Sequence, residues 1–294
     1  MVTKPTVIVL GAAASHAYGF PLGPQLKATI VSSLSARGPD SAAAIIAQAT
    51  GEPMAAIERF QLELAGSKAP SIDAFMQETG SFDQIGRAAI AFELLQLESD
   101  DRLYPARHDW YGLLFASALR DPLSMRENLR IMTFNFDRSY ERRLFHDFVK
   151  RIEGTALGDN PYLHEIFWNK VVHVHGSLGH PDWQQMHTFG GSMMRGYLPS
   201  REPGPILHSA QNVKIFPDEI TDGMRRMVAA SLEWAERVIF LGFSFHPSNV
   251  RKLLPGRTCS PGRMSGARSS AWTTTQSNER RRSLVGTSRR SLEI

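Results

Sequence analysis

The sequence predicts an α/β protein with a Rossmann-like parallel sheet and a large helical insertion after the first strand. Short apolar runs rich in Val, Ile and Phe recur along the chain and end at glycine or polar residues, as buried parallel strands do. Segments with apolar residues at three-to-four spacing separate these runs, which is typical of helices between strands. The 294 residues suffice for one large domain or two small ones, and no internal repeat is present.

The first strand is predicted in TVIVLGAA, residues 6–13, with a break at Gly11. Helical spacing then dominates up to about residue 120, and we place the insertion at about residues 22–128. Its clearest helix is FDQIGRAAIAFELLQLE, where apolar residues recur on one face. Ser71 and Asp73 are both candidates for the cap of the helix that contains SIDAFMQE.

Three further strands are predicted in LRIMTFNFD (129–137), KVVHVHG (170–176) and RVIFLGFSF (237–245). A polar helix, RSYERRLFHDFVKRIE, follows the first of these, and the helix DEITDGMRRMVAASLEWAE (218–236) precedes the last. Between them, residues 179–218 are rich in Gly, Pro and Ser. They predict loops with short strands, PGPILHSAQNVKIFP among them.

Positive charge is concentrated at the C-terminal end of the chain. Residues 251–294 hold ten Lys and Arg against two Glu, a net charge of +8, so residues 1–250 carry −4 of the total of +4. The charge of the main body is therefore unlike that of a nucleic-acid-binding protein. After residue 254 the chain is rich in Arg, Ser, Gly and Thr and has almost no periodic apolar residues. We therefore assign residues 1–254 to the folded domain and predict a disordered or atypical basic tail at residues 255–294. A nucleic-acid-binding arm and a change of reading frame are the alternatives for this tail.

The composition favours a cytoplasmic protein. Cys259 is the single cysteine, which excludes an internal disulfide and a multi-cysteine zinc module. No run approaches eighteen apolar residues, so no membrane-spanning helix is expected. The apolar run near the N-terminus, about five residues long, is shorter than the apolar stretch of a signal peptide.

Four strand ends carry the candidate functional residues, because ligands bind at the carboxyl edge of open parallel sheets. The turn GAAASHAYGFP (11–21) offers backbone N–H groups to a phosphate, or is a plain tight turn. Asn135 and Asp137 in TFNFDRS suit a ribose or an ordered water, or cap the next helix. Gly242 and Ser244 end the last strand and form either a binding turn or an ordinary one.

The third strand end, HVHGS, contains His173 and His175 on what strand alternation makes one face. No HExxH run or further cysteine supplies the remaining ligands of a metal site, so the metal interpretation is the weakest. A histidine at a cleft is better explained as a general base or hydrogen-bond partner, and its ordinary pKa of about 6.5 suits a base. His175 is the candidate for that role, and His173 is predicted to be structural.

The order of these motifs resembles the sirtuin-like superfamily that consumes nicotinamide adenine dinucleotide (NAD). The resemblance covers roughly residues 6–250 and is closest to its zinc-less bacterial branch, through VLGAAASHAYGFPLG, SIDAFM, TFNFD, His-Gly-Ser and a strand ending in Gly-Phe-Ser. That branch has a helical insertion after the first strand. The resemblance implies an NAD hydrolase that cleaves the nicotinamide–ribose bond, commonly in anti-phage defence by NAD depletion.

The resemblance also implies roles for particular residues. His175 and Asn135 match the catalytic pair, with Gly176 beside the histidine and Asp137 beside the asparagine. Around the phosphates and ribose of the dinucleotide, the matching residues are Gly11, Ala12, Ser15, Gly19 and Pro21. Gly242 and Ser244, with Asn249 nearby, match the turn on the adenosine side. NAD is thus the expected substrate, no metal is expected, and a separate sensor protein or self-association is expected to control the activity.

Two departures from the family pattern bear on these expectations. Ala13 stands where the family has glycine, and an alanine forced to positive φ costs about 1 kcal/mol or more. The chain after NVRKLL is also unlike the family, which continues with a helix and a strand. Two rival functions therefore stay open: an NAD-dependent deacylase or ADP-ribosyl transferase, and an inactive nucleotide-binding module.

Overall fold

A parallel sheet of four strands forms the centre of the protein. The computed structural model describes residues 2–118, 127–152, 171–179, 196–215, 221–253, 259–260 and 263–264. Within them lie β1 (Thr6–Leu10), β2 (Leu129–Thr133), β3 (Val171–His173) and β4 (Arg237–Leu241). Their spatial order is β3-β2-β1-β4 and all pairs are parallel. The predicted α/β class with a Rossmann-like sheet is confirmed.

The central strand β1 is buried along its whole length because it has a neighbour on each side and a layer on each face. Ile8 pairs with Ile131 of β2 and with Ile239 of β4. From β1 the chain builds the sheet outward through β2 and β3, and then returns to the other side of β1 with β4. The order of strands therefore reverses between β1 and β4, and a crevice at their carboxyl ends is the expected ligand position.

The predicted insertion between β1 and β2 is helical. It contains α2 (Gly23–Ser35), α3 (Ala42–Thr50), α4 (Met54–Gly66), α5 (Ile72–Thr79), α6 (Asp83–Leu95), a 3₁₀ turn (Asp100–Leu103) and α7 (Trp110–Ala118). Ser41 and Ser71 cap α3 and α5, each accepting a hydrogen bond at 3.2 Å from the backbone amide three residues on. Helix α6 is buried on most sides and forms the centre of this layer.

The remaining helices are α1 (Ala12–His16), α8 (Ser139–Ile152), α9 (Pro203–Asn212), α10 (Asp222–Trp234) and α11 (Pro247–Leu253). Helix α9 corrects the prediction of loops with short strands in this region. Pro203 and Pro205 lie in its first turn, where a missing N–H costs no intrahelical bond. Ile206, Ser209 and Ala210 form its buried face. The prolines therefore mark the start of a helix.

Two hydrophobic clusters cover the two faces of the sheet. Ile8 and Leu10 of β1 point into the cluster that contains the insertion. Val7 and Val9 point into a second cluster, which contains Val228 of α10 together with apolar residues of α11. Alternation along β1 thus places the insertion on one face and helices α10 and α11 on the other.

Two short strands lie in the predicted tail: β5 (Cys259–Ser260) and β6 (Arg263–Met264) pair antiparallel. The remainder of residues 255–294 lies outside the described residues, so the predicted disorder stays a prediction. Within the part of the chain that the structure describes, no helix combines the length and apolar character that a bilayer crossing requires.

A buried ion pair ties the insertion to the segment between β2 and α8. Arg138 Nε donates to Glu98 Oε1 at 2.8 Å, and a second guanidinium nitrogen donates to Oε2 at 2.6 Å. The exposed fraction of both side chains is 1% or less. Arg138 also donates to the carbonyl of Gly196 at 3.0 Å. The pair thus fixes the chain immediately after Asn135 and Asp137.

Candidate active site

The turns that follow β1 and β4 interlock at the predicted crevice. The Ala13 amide donates to the carbonyl of Gly242 at 3.2 Å, and the Gly11 amide donates to that of Leu241 at 3.0 Å. A Cβ at Gly11 would lie 2.5 Å from Gly242 O. Gly242 has φ +60°, and a Cβ there would lie 2.1 Å from the Ala14 nitrogen. Both positions therefore require glycine.

This packing changes one expectation about phosphate binding. The Ala14 amide donates to Gly11 O at 2.9 Å, so the amides of Gly11, Ala13 and Ala14 are all engaged within the protein. They do not form the free-amide cradle that the small-residue turn predicted. Ala12 and Ala13 are nevertheless exposed, so the outer surface of the turn is open to a ligand.

Ala13 carries no backbone strain. It lies within α1, and among the described non-glycine residues a positive φ occurs only at Phe82, His108 and Phe245. The strain that a positive φ would impose on an alanine does not arise here, so Ala13 leaves the turn intact.

We expect Gly242→Ala to destabilise the protein more than Gly51→Ala. Gly51 also has positive φ, +75°, but nothing lies within 4 Å of its added Cβ, so alanine there costs only the strain of about 1 kcal/mol. At Gly242 the clash with Ala14 adds to that strain. Urea unfolding of both variants measures the difference in stability. Equal losses of stability would show that the turns after β1 and β4 can move apart and relieve the clash without cost.

Hydrogen bonds fix the side chain of Asn135 against the turn that follows β1. It is 8% exposed, and its Nδ2 donates to Gly11 O and to Ser15 Oγ, both at 3.0 Å. Its backbone amide donates to Thr133 Oγ1 at 3.0 Å. Since both amide hydrogens are engaged, Oδ1 is the atom that Asn135 offers to a ligand, and it can accept a hydrogen bond from a hydroxyl or a water.

Ser15 connects Asn135 with Asp137. Burial raises the pKa of the Asp137 carboxyl, and hydrogen bonds from Ser139 and Ser15 oppose that rise. The backbone amide of Ser139 donates to Asp137 Oδ1 at 3.1 Å. Asp137 thus braces the start of α8, as the helix-capping interpretation predicted, while Ser15, only 2% exposed, orients the asparagine from within the protein.

His173 holds the backbone of Asn135 in place through a hydrogen bond. Its Nδ1 donates to the backbone carbonyl of Asn135 at 3.0 Å, and its Nε2 is bonded to the carboxylate of Glu141. Burial lowers the pKa of His173, but Glu141 and the Asn135 carbonyl outweigh burial, and the net shift is upward. Because both ring nitrogens are occupied by protein groups, the geometry supports the structural role predicted for His173.

His175 lies beyond the strand, since β3 ends at His173, and its ring has partners of its own. The ring packs edge-on against Phe134 with centroids 5.1 Å apart, and Phe136 lies 6.2 Å away. Its Nε2 is 2.8 Å from Nζ of Lys252 in α11. Burial and then the Lys252 charge lower the pKa of His175 to about 3. The pKa of His175 thus lies well below the ordinary value of 6.5, and the imidazole is neutral at pH 7.

Lys252 and Asp73 are site residues that the sequence interpretation missed. Burial raises the pKa of Asp73, and the charge of Lys252 opposes that rise. Burial likewise lowers the pKa of Lys252, and Asp73 opposes it. Ser71 is the helix cap, so the Asp73 carboxylate remains available to face Lys252. Asp73 lies in the SIDAFM motif, but the sequence alone predicts for it only a role as a helix cap.

The other predicted residues frame the site. Gly176 has φ +73°, and a Cβ there would meet the carbonyl of Asn212 at 1.9 Å, so the His-Gly turn packs against the end of α9. Gly19, with φ +87°, faces Arg102 of the insertion, and Pro21 follows it, partly buried. Ser244 is exposed after β4. Asn249 lies within α11, where its amide donates to His246 O at 2.9 Å.

No family model, curated protein or solved structure matches the chain. Within the described ranges, no group of three or more His, Cys, Asp and Glu side chains is arranged to hold a metal ion. The structure brings Gly11, Ser15, Asn135 and Gly242 into one interlocked unit at the carboxyl edge of the sheet, with His175 beside it.

Proposed function

We propose that this protein is an NAD hydrolase, which uses water to convert NAD into nicotinamide and ADP-ribose. The observation that carries the proposal is Asn135, whose amide nitrogen is fixed by two buried acceptors so that Oδ1 serves as an acceptor at the crevice. A dinucleotide laid across the reversal of strand order between β1 and β4 would bring a ribose to this position. The resemblance to the sirtuin-like branch supports the choice of NAD.

The residues suit the chemistry of this cleavage. The bond between ribose C1′ and the nicotinamide nitrogen breaks, its electron pair goes to the nitrogen, and an oxocarbenium-like centre develops at C1′. Oδ1 of Asn135 accepts a hydrogen bond from the attacking water or a ribose hydroxyl, which fixes the geometry of attack. The water oxygen then bonds to C1′, and a neutral His175 accepts the proton that water loses.

The biological setting follows from the resemblance alone. We propose a cytoplasmic enzyme of anti-phage defence that depletes NAD when a separate sensor or self-association activates it. The basic tail is the segment that suits an acidic partner or nucleic acid. Control is required by the chemistry, because unregulated hydrolysis of NAD would harm the cell that makes the enzyme.

Nicotinamide release from NAD by the purified protein tests the proposal. We expect equal amounts of nicotinamide and ADP-ribose without any other substrate, measured by chromatography. Release that requires an acetyl-lysine peptide would instead identify a deacylase, and ADP-ribose attached to protein would identify a transferase. If no product forms while ADP-ribose raises the melting temperature, the protein is a nucleotide-binding module.

A further inference from the structure

Helix α11 contacts the proposed catalytic histidine directly. Its Lys252 places Nζ 2.8 Å from His175 Nε2, a distance at which the ammonium donates to the imidazole. The nitrogen that accepts this bond is no longer available to a water or a ribose hydroxyl. Since Nε2 is the acceptor, the imidazole proton is on Nδ1.

The charge of Lys252 also opposes the proposed reaction. Positive charge develops on the ribose during nicotinamide departure, and a cation next to the catalytic histidine disfavours that transition state. The same charge lowers the pKa of His175, so the imidazole accepts a proton from water less readily. Departure of Lys252 would therefore make His175 a better base.

One opposite charge and two aromatic rings adjoin the contact between Lys252 and His175. Asp73, from the insertion, is the opposite charge that acts on it, and Phe134 and Phe136 are the neighbours that enclose the imidazole. Helix α11 has seven residues, and among its side chains whose burial the structure describes, Val250 and Leu253 pack into the second hydrophobic cluster. So short a helix can detach while the sheet stays folded.

We propose that α11 is an autoinhibitory element whose Lys252 blocks His175 until the helix is displaced. This inference rests on the proposed NAD hydrolase function, and it locates the control of the activity in the chain itself. An activating partner, or another copy of the chain, would then act by drawing α11 away from the Asp73 side of the site.

Lys252→Met tests the inference, since methionine keeps an apolar stem and removes the ammonium. Lys252→Ala is measured beside it in case one variant folds poorly. Arg251→Met is the control, because it removes one positive charge from the exposed side of the same helix. The full chain is titrated by NMR with labelled histidine, and the His175 signal is assigned by its loss in His175→Ala. Nicotinamide release at pH 7 is measured in parallel.

We expect the Lys252 variants to raise the pKa of His175 by at least about one unit and to release nicotinamide at least about tenfold faster, whereas Arg251→Met changes neither. A His175 pKa that does not move would overturn the inference. A raised pKa with slower release would also overturn inhibition, and would make Lys252 a positioning residue. A raised pKa with no release by any variant would support the block on His175 and reject the proposed hydrolase instead.

Discussion

Replacing Asn135 with alanine is expected to lower nicotinamide release at least about 100-fold, the range lost when a positioned catalytic group is removed. The variant loses the Oδ1 acceptor and both Nδ2 hydrogen bonds, so that Ser15 Oγ loses the amide donor, whereas Gly11 O keeps the bond from the Ala14 amide. An unsatisfied buried acceptor also costs about 1–3 kcal/mol of stability. The rate is therefore measured at a temperature where circular dichroism shows that the variant is folded.

Gln96→Ala is the matched control for this experiment. Gln96 is a partly buried amide at the end of α6, and its Nε2 donates to the backbone carbonyl of Phe92 at 2.9 Å. Its loss removes one amide hydrogen bond from the insertion without touching Asn135. We expect the control to keep the rate of the unmodified protein. An Asn135→Ala protein that keeps more than a tenth of that rate would remove Asn135 from the mechanism.

Glu98→Gln is expected to cause the largest loss of stability, about 3–5 kcal/mol, because it leaves the buried charge of Arg138 without its carboxylate. Glu98 is fully buried, and the pair makes two parallel hydrogen bonds of 2.8 and 2.6 Å. Urea unfolding measures the change. Because Arg138 directly follows Asp137, the variant is also expected to weaken the site at the end of β2.

Asp100→Asn provides the comparison for Glu98→Gln. Asp100 forms the same two-bond pair with Arg142, at 2.7 and 2.6 Å, but the two side chains are 40% and 21% exposed. Water screens such a pair, so its loss is expected to cost at most about 1 kcal/mol. Similar losses in both variants would mean that burial does not set the strength of the Glu98–Arg138 pair.

The elements that follow from the spacing of apolar residues could be predicted from the sequence. The four strands and the helical insertion follow from β-branched runs and three-to-four spacing, and the structure confirms their presence and order. The last three strands end earlier than predicted, at Thr133, His173 and Leu241, so His175 does not share a strand face with His173. Helix α9 is not evident from the sequence because the two prolines at its start also suit a loop, although proline is favoured in the first turn of a helix. Local composition therefore did not separate a helix start from a loop.

The site was predictable where it depends on strand ends and less so where it depends on contacts between distant segments. Parallel strands bring their carboxyl ends together, so the turn at Gly11 and the residue Asn135 were expected to be neighbours. The contact between Lys252 and His175 joins residues 77 positions apart, and no spacing rule predicts it. The depressed pKa of His175 depends on that contact and on burial, so it could not be derived from residue type.

Nicotinamide release by the unmodified protein is to be compared with release by His175→Ala, each incubated with NAD alone. We predict ADP-ribose and nicotinamide in equal amounts from the unmodified chain, and a rate at least about 100-fold lower from the variant. Undiminished release by a folded His175→Ala protein would contradict the assignment of the site at the carboxyl edge of the sheet.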